Sequence, residues 1–94
     1  MNVVSFYRFT DVDDPAGVKA HLQVLSGEQN LLGTILVAAE GVNGTLAGDA
    51  ASIRAVFRWL EERLALKAPI EGRWTEADEA PFRRMRVRLK KEIV

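Results

Sequence analysis

Cysteine is missing from this 94-residue sequence, and histidine occurs once, as His21. Without a thiol the chain forms no disulfide, offers no thiolate nucleophile and builds no cysteine-ligated iron–sulfur or zinc centre. One histidine also supplies too few nitrogen ligands for a conventional transition-metal site. The sequence therefore predicts neither a metal site nor a cofactor, and many classes of enzyme are excluded.

Long apolar runs are also missing. No stretch approaches the about 20 consecutive apolar residues that a membrane-spanning helix needs. The first ten residues, MNVVSFYRFT, lack the charged-then-apolar layout of a secretory signal. We therefore expect a cytoplasmic protein with no membrane partner. The composition, 48% hydrophobic and 28% charged, is that of an ordinary globular domain with one modest core.

Net charge is zero, because thirteen Lys and Arg residues balance thirteen Asp and Glu residues. The charges are nevertheless segregated along the chain. Residues 83–91 contain no acid and six bases, which leaves seven bases against thirteen acids elsewhere. Such segregation indicates an anionic partner for the C-terminal segment. The six bases are Arg83, Arg84, Arg86, Arg88, Lys90 and Lys91.

Hydrophobic periodicity and turn residues predict the order of the secondary structure. Asp14 followed by Pro15 indicates a helix start, and Asn30 indicates its left-handed end. The full prediction is a strand over 3–9, a helix over 15–29, strands over 32–39 and 44–47, a helix from 50 to Pro69, and strands over 70–75 and 84–90. This order predicts an α+β, ferredoxin-like (split βαβ) fold. It has an antiparallel sheet, two helices on one face and an extra C-terminal strand.

The stretch AAEGVNGTLAG, residues 38–48, places three glycines and an asparagine between two apolar runs. It contains neither a dinucleotide-binding G-x-G-x-x-G nor a P-loop Gly-Lys-Ser/Thr. Gly41 and Gly44 have the spacing of a KH-type clamp, but that loop joins two helices, whereas this one joins two strands. Because Asn-Gly tolerates positive φ, we predict a structural hairpin built on Gly41, Asn43 and Gly44. Backbone binding of a phosphate is the alternative.

Basic and apolar residues alternate over residues 84–90, which is strand periodicity. Arg84, Arg86, Arg88 and Lys90 then lie about 7 Å apart on one side, comparable to the spacing of nucleic-acid phosphates. Two other interpretations are open. The bases protect a sheet edge from aggregation, or they are a solvated face that balances the charge of nearby acids such as those at 76, 78 and 79. Tyr7 or Trp74 on the same face would favour stacking on RNA bases.

Two stretches, GTILVAAEGVNGTLAG and PFRRMRVRLKKEIV, resemble the N-terminal domain of the rhodanese-like tRNA uridine hydroxylases. Residues 40–45 match the family's Glu-Gly-Ile-Asn-Gly-Thr with Val42 as a mild departure, and residues 91–94 match its Lys-Glu-Ile-Val. The resemblance implies that residues 1–94 are one acylphosphatase-like domain, the N-terminal fragment of a longer rhodanese-like protein. It also implies an oxygen-dependent enzyme that hydroxylates the wobble uridine of certain tRNAs.

In that family the reactive cysteine lies in the downstream rhodanese domain, and none of its catalytic residues matches a position of this chain. We therefore expect a non-catalytic domain that helps to bind or orient tRNA through the six bases of residues 83–91. The alternative is a structural module that packs on the rhodanese domain or on a second copy, and the oligomeric state is left open. An acylphosphatase is disfavoured, because RFTDVDDPAG places acids where that family has a phosphate-binding loop.

Overall fold

The computed structural model describes residues 1–92. The last two residues of the Lys-Glu-Ile-Val match, Ile93 and Val94, lie outside the described residues. The strands and helices follow one another in the predicted order. The elements are β1 (Asn2–Phe9), α1 (Pro15–Glu28), β2 (Leu32–Ala38), β3 (Gly41–Gly48), α2 (Ala50–Arg63), β4 (Gly72–Glu76) and β5 (Met85–Leu89).

The strands form one sheet in the order β4-β1-β3-β2-β5. β3 pairs antiparallel with β1 and β2, and β4 pairs antiparallel with β1. This arrangement confirms the split βαβ fold, because β3 lies between the two strands that α1 connects. The extra strand β5 pairs parallel with β2, so the sheet is mixed rather than wholly antiparallel.

The core lies between the sheet and the two helices. Apolar residues recur at helical spacing between Ile53 and Leu64, which predicts one apolar stripe, and the structure buries it. The ring of Phe57 in this stripe packs edge-on against Phe6 with centroids 4.9 Å apart. On α1, Val18 and Leu22 are fully buried. Each such side chain contributes about 1.5–3 kcal/mol of transfer free energy. The buried α2 stripe consists of Ile53, Val56, Phe57, Leu60 and Leu64.

Both predicted ends of α1 are confirmed. The side chain of Asp14 accepts a hydrogen bond from the Gly17 amide at 3.2 Å, and Pro15 occupies the first helical position. Asn30 has a φ of 56°, the left-handed conformation expected after the helix. The predicted end of α2 is wrong: the helix stops at Arg63, because Ala65 turns left-handed at φ 51° instead of continuing to Pro69.

The predicted hairpin is misplaced. The β2–β3 turn lies at residues 39–40, with Ala38 paired to Gly41, whereas Asn43 and Gly44 lie inside β3. Positive φ, 152°, falls on Gly41 at the first position of the strand. The physical reason is that β3 is a central strand, which pairs with β1 over eight residues and with β2 over seven. Gly44 therefore serves strand packing rather than a turn.

Candidate nucleic-acid interface

Both helices pack on the same surface of the sheet. The opposite surface, which no helix covers, is the open face. Side chains on adjacent strands align across it by register, in the row Arg73, Ser5, Thr45, Thr34 and Arg86. Strands are spaced about 4.8 Å apart, so this row spans about 19 Å from the β4 edge to the β5 edge. The open face thus has an arginine at each edge and hydroxyl-bearing residues between them.

The alternation predicted for the basic strand is found in β5. Val87 is 4% exposed and joins the core, and Met85 packs beside it, whereas Arg86 and Arg88 are exposed on the opposite side. Arg88 aligns with Leu36 on the open face. Leu89 departs from the pattern and is 46% exposed, at the end of this edge strand.

Hydrogen bonds to β2 continue one residue beyond each end of β5. The Gly33 amide donates to the Arg84 carbonyl at 2.9 Å, and the Lys90 amide donates to the Val37 carbonyl at 2.9 Å. Arg84 and Lys90 therefore continue the alternation and are both exposed. The remaining two predicted bases, Arg83 and Lys91, are exposed but lie outside the strand. The structure thus brings four of the six bases into one row.

Within residues 1–92, no ion pair involves Arg84, Arg86, Arg88 or Lys90. Of the acids that the sequence offers as partners, Glu76 ends β4, opposite Asn2. β4 and β5 are the two edges of the sheet. The interpretation that these bases form ion pairs with neighbouring acids therefore lacks the contacts that it requires. The interpretation that the bases protect a sheet edge from aggregation is still supported, because β5 is an edge strand.

Two exposed aromatic side chains lie on the open face, near the end of β1. Tyr7 is 67% exposed and Phe9 is 54% exposed, and their rings pack edge to face with centroids 5.9 Å apart. Trp74 points the other way, with its ring 6.3 Å from Phe57 and the Arg54 guanidinium 5.0 Å above it. Of the two aromatic residues that the sequence raised, only Tyr7 therefore shares the open face with the arginines.

Two open-face residues, Phe9 and Arg73, escaped the sequence analysis. The period of two in a β-strand could have identified Phe9. Val4 and Phe6 face the core, so Ser5, Tyr7 and Phe9 face the opposite side of β1. No comparable pattern identifies Arg73, since β4 is short and mostly exposed. Both residues line a hollow of about 890 Å³ on the open face. The hollow is also lined by Ser5, Phe6, Tyr7, Asn43, Gly44, Thr45 and Glu71.

The outer edge of β5 is partly capped by α1. The Gln23 side-chain amide donates to the Met85 carbonyl at 3.3 Å, and its oxygen accepts from the Val87 amide at 3.1 Å. The Gln23 side chain thus satisfies one backbone carbonyl and one backbone amide that an edge strand otherwise leaves free to pair with another chain. This contact also ties the arginine-bearing strand to the helix layer.

The loop between β1 and α1 offers no cradle for a phosphate. The Thr10 and Val12 amides donate to the carbonyls of Glu40 and Ala39 at 3.0 and 2.9 Å, and the Gly17 amide donates to Asp14. These amides are therefore engaged within the chain. Residues 10–14 carry three aspartates and no base, which repels an anionic substrate. Within residues 1–92, no three His, Asp or Glu side chains group to hold a metal ion.

A two-helix layer on a five-stranded split βαβ sheet defines the acylphosphatase-like class of α+β domains. The acylphosphatase from Bacillus subtilis is similar with a TM-score of 0.66 at 12% identity, covering 93% of this chain and 98% of that protein. The acylphosphatase from Coxiella burnetii gives 0.62 at 19% identity, covering 93% and 90%. At such identities the likeness shows the fold alone.

The family is shown by sequence. The family model described as the UPF0176 acylphosphatase-like domain matches residues 1–93, and the chain belongs to this family. Proteins named tRNA uridine(34) hydroxylase are 45% identical over 92 residues in Rhizobium etli, 44% over 92 in Caulobacter vibrioides and 43% over 96 in Deinococcus radiodurans. The predicted resemblance is thereby confirmed. Each match covers 98% of this chain and 29–30% of the relative, so the chain spans about three-tenths of their length.

No helix within residues 1–92 is long and apolar enough to cross a membrane.

Proposed function

We propose that this chain is a non-catalytic domain that binds or orients tRNA for a rhodanese-like, oxygen-dependent tRNA uridine hydroxylase acting in the cytoplasm. In this proposal residues 1–94 form one domain at the N-terminus of the longer protein. The downstream rhodanese domain supplies the reactive cysteine. The names of the relatives supply the substrate class, since they are tRNA uridine(34) hydroxylases.

The observation that supports RNA binding best is the row of exposed bases along β5 without ion pairs within residues 1–92. A phosphate that approaches Arg86 or Arg88 displaces only water and counterions, because no carboxylate already holds the guanidinium. Counterion release then favours binding of a polyanion. The sheet also aligns these bases with Tyr7 and Arg73 on one surface, as an RNA platform requires.

The test is binding of the chain to unmodified tRNA over about 50–200 mM salt. We expect affinity to fall steeply with salt. Replacing Arg84, Arg86 and Arg88 together by alanine should weaken binding. It should also lower the salt slope by about 0.7–0.9 for each lost phosphate contact, or about two to three in all.

A matched control removes three exposed bases outside the open face instead, namely Arg58 and Arg63 on α2 and Lys67 after it. It changes the net charge by the same amount. A long-range effect of net charge predicts equal losses in both variants, whereas phosphate contact along β5 predicts a loss confined to the first. Unchanged tRNA binding by a folded β5 variant contradicts the proposal.

A second candidate is an interaction module that docks on the remainder of the longer protein. It is favoured by the exposed rings of Tyr7 and Phe9, because exposed apolar surface commonly marks an interface. It predicts no tRNA affinity of this chain even at the lowest salt. It also predicts that the longer protein shields Tyr7 and Arg88 from solvent-borne reagents.

A further inference from the structure

Resting on the proposed function, we infer that the open face binds an unpaired RNA segment, with one base stacked on Tyr7 inside the hollow of about 890 Å³. The backbone of that segment runs across the sheet, so that phosphates several nucleotides apart lie toward Arg73 at one edge and toward Arg86 and Arg88 at the other. The bound segment is single-stranded, so the domain distinguishes loops from helical stems.

The exposure of two neighbouring aromatic rings is the first argument. Tyr7 and Phe9 are 67% and 54% exposed, although a core able to accept rings, that of Phe6 and Phe57, lies on the other side of the same sheet. Their edge-to-face contact, with an interplanar angle of 71°, leaves both faces of one ring uncovered by the other. An uncovered ring face on a sheet is a stacking platform for a base.

The polar groups around the rings are the second argument. The hydroxyls of Ser5 and Thr45 lie 3.3 Å apart beside the rings, and Arg73 lies across from Ser5 on β4. These neutral and cationic groups, together with the exposed Glu71 carboxylate that also lines the hollow, can hydrogen-bond the edge of a base. A paired base is stacked between its neighbours and uses its Watson–Crick edge in the pair, so neither its ring face nor that edge is available to the sheet.

The charge distribution is the third argument. The row from Arg73 to Arg86 spans about 19 Å and is uncharged between its ends. A nucleic-acid strand extended across the sheet therefore meets a cation at each edge, with Glu71 beside Arg73 at the β4 edge, and neutral or aromatic groups between them. This pattern complements a chain whose phosphates and bases alternate. It matches less well a protein segment, which has no reason to be anionic at both edges.

The experiment compares two RNA probes at equal phosphate concentration, an unstructured ten-nucleotide oligouridine and a blunt-ended, fully paired RNA duplex. Binding of each is measured for the wild-type chain, Tyr7→Ala and Tyr7→Trp. Exposed Val24 on α1, which is 62% exposed, gives the control variant Val24→Ala. Because Tyr7 lies outside the core, these substitutions leave the fold intact, which circular dichroism checks.

We expect tighter binding of the oligouridine than of the duplex. Tyr7→Ala should weaken oligouridine binding by about 5- to 150-fold, the range that loss of one base stack gives, with an unchanged salt slope. Tyr7→Trp should retain affinity, and Val24→Ala should match the wild type. A base analogue whose fluorescence depends on stacking should respond to wild type and not to Tyr7→Ala.

Two results overturn the inference and are distinguishable. If both probes bind equally and Tyr7→Ala has no effect while the salt slope persists, phosphate contact alone holds RNA and only the stacking site is wrong. If neither probe nor tRNA binds at the lowest salt, the proposed RNA-binding function fails as well. The open face is then assigned to the remainder of the longer protein.

Discussion

Gly44 and Gly27 form a matched pair for testing how the fold uses its glycines. Gly44 lies in the middle of β3, and a Cβ there would come within 2.5 Å of the Thr34 carbonyl oxygen and 3.0 Å of the Ile35 Cα. Both of these atoms belong to the backbone of β2. Because β3 is held by β1 on one side and β2 on the other, the backbone has little room to yield. Gly27 lies in α1, and a Cβ there meets nothing within 4 Å.

The two substitutions should therefore have opposite signs. Overpacking a rigid site costs about 1–3 kcal/mol, so Gly44→Ala should destabilise the chain by that amount. Gly27→Ala removes the entropic cost of a helical glycine and should stabilise by about 0.5–1 kcal/mol. For a domain of this size, each kcal/mol shifts the melting temperature by about 4–8 °C.

Urea unfolding followed by circular dichroism measures both effects, with the midpoint expected to move while the slope stays constant. The reasoning is refuted if Gly44→Ala is as stable as the wild type, or if both variants shift the midpoint in the same direction. A hairpin role for Gly44 predicts that asparagine is tolerated there. The strand-packing role predicts that Gly44→Asn is at least as destabilising as Gly44→Ala.

Two further predictions concern single side chains that hold the elements in place. Gln23→Leu removes both hydrogen bonds to the β5 edge, at about 0.5–1.5 kcal/mol each. It should speed hydrogen exchange of the Val87 amide, so unchanged exchange contradicts the capping role. Asp14→Ala removes the 3.2 Å cap on the Gly17 amide and should cost about 0.5–2 kcal/mol in thermal unfolding. Asp14→Asn keeps both a capping oxygen and tolerance of the left-handed conformation, and equal melting of Asp14→Ala and Asp14→Asn argues against the cap.

The sequence by itself determined the features that depend on neighbours along the chain. Alternation over residues 84–90 predicted which side of β5 is basic, and helical spacing predicted the buried stripe of α2. Asp14 and Asn30 marked the ends of α1 because capping and left-handed termination are local effects. The glycine-rich and basic stretches also identified the family. These properties need no knowledge of what lies across the sheet.

The tertiary structure alone decided which distant residues share a surface. The local sequence Asn43-Gly44 predicts a turn. In the structure these residues pair with β1 on one side and β2 on the other, so they belong to the central strand and the turn lies at residues 39–40. Arg73 and Arg86 come from opposite edges and join the open face only through strand order and register. Local periodicity assigns each side chain to a side of its own strand. Long-range pairing, which no local pattern encodes, assembles those sides into one site.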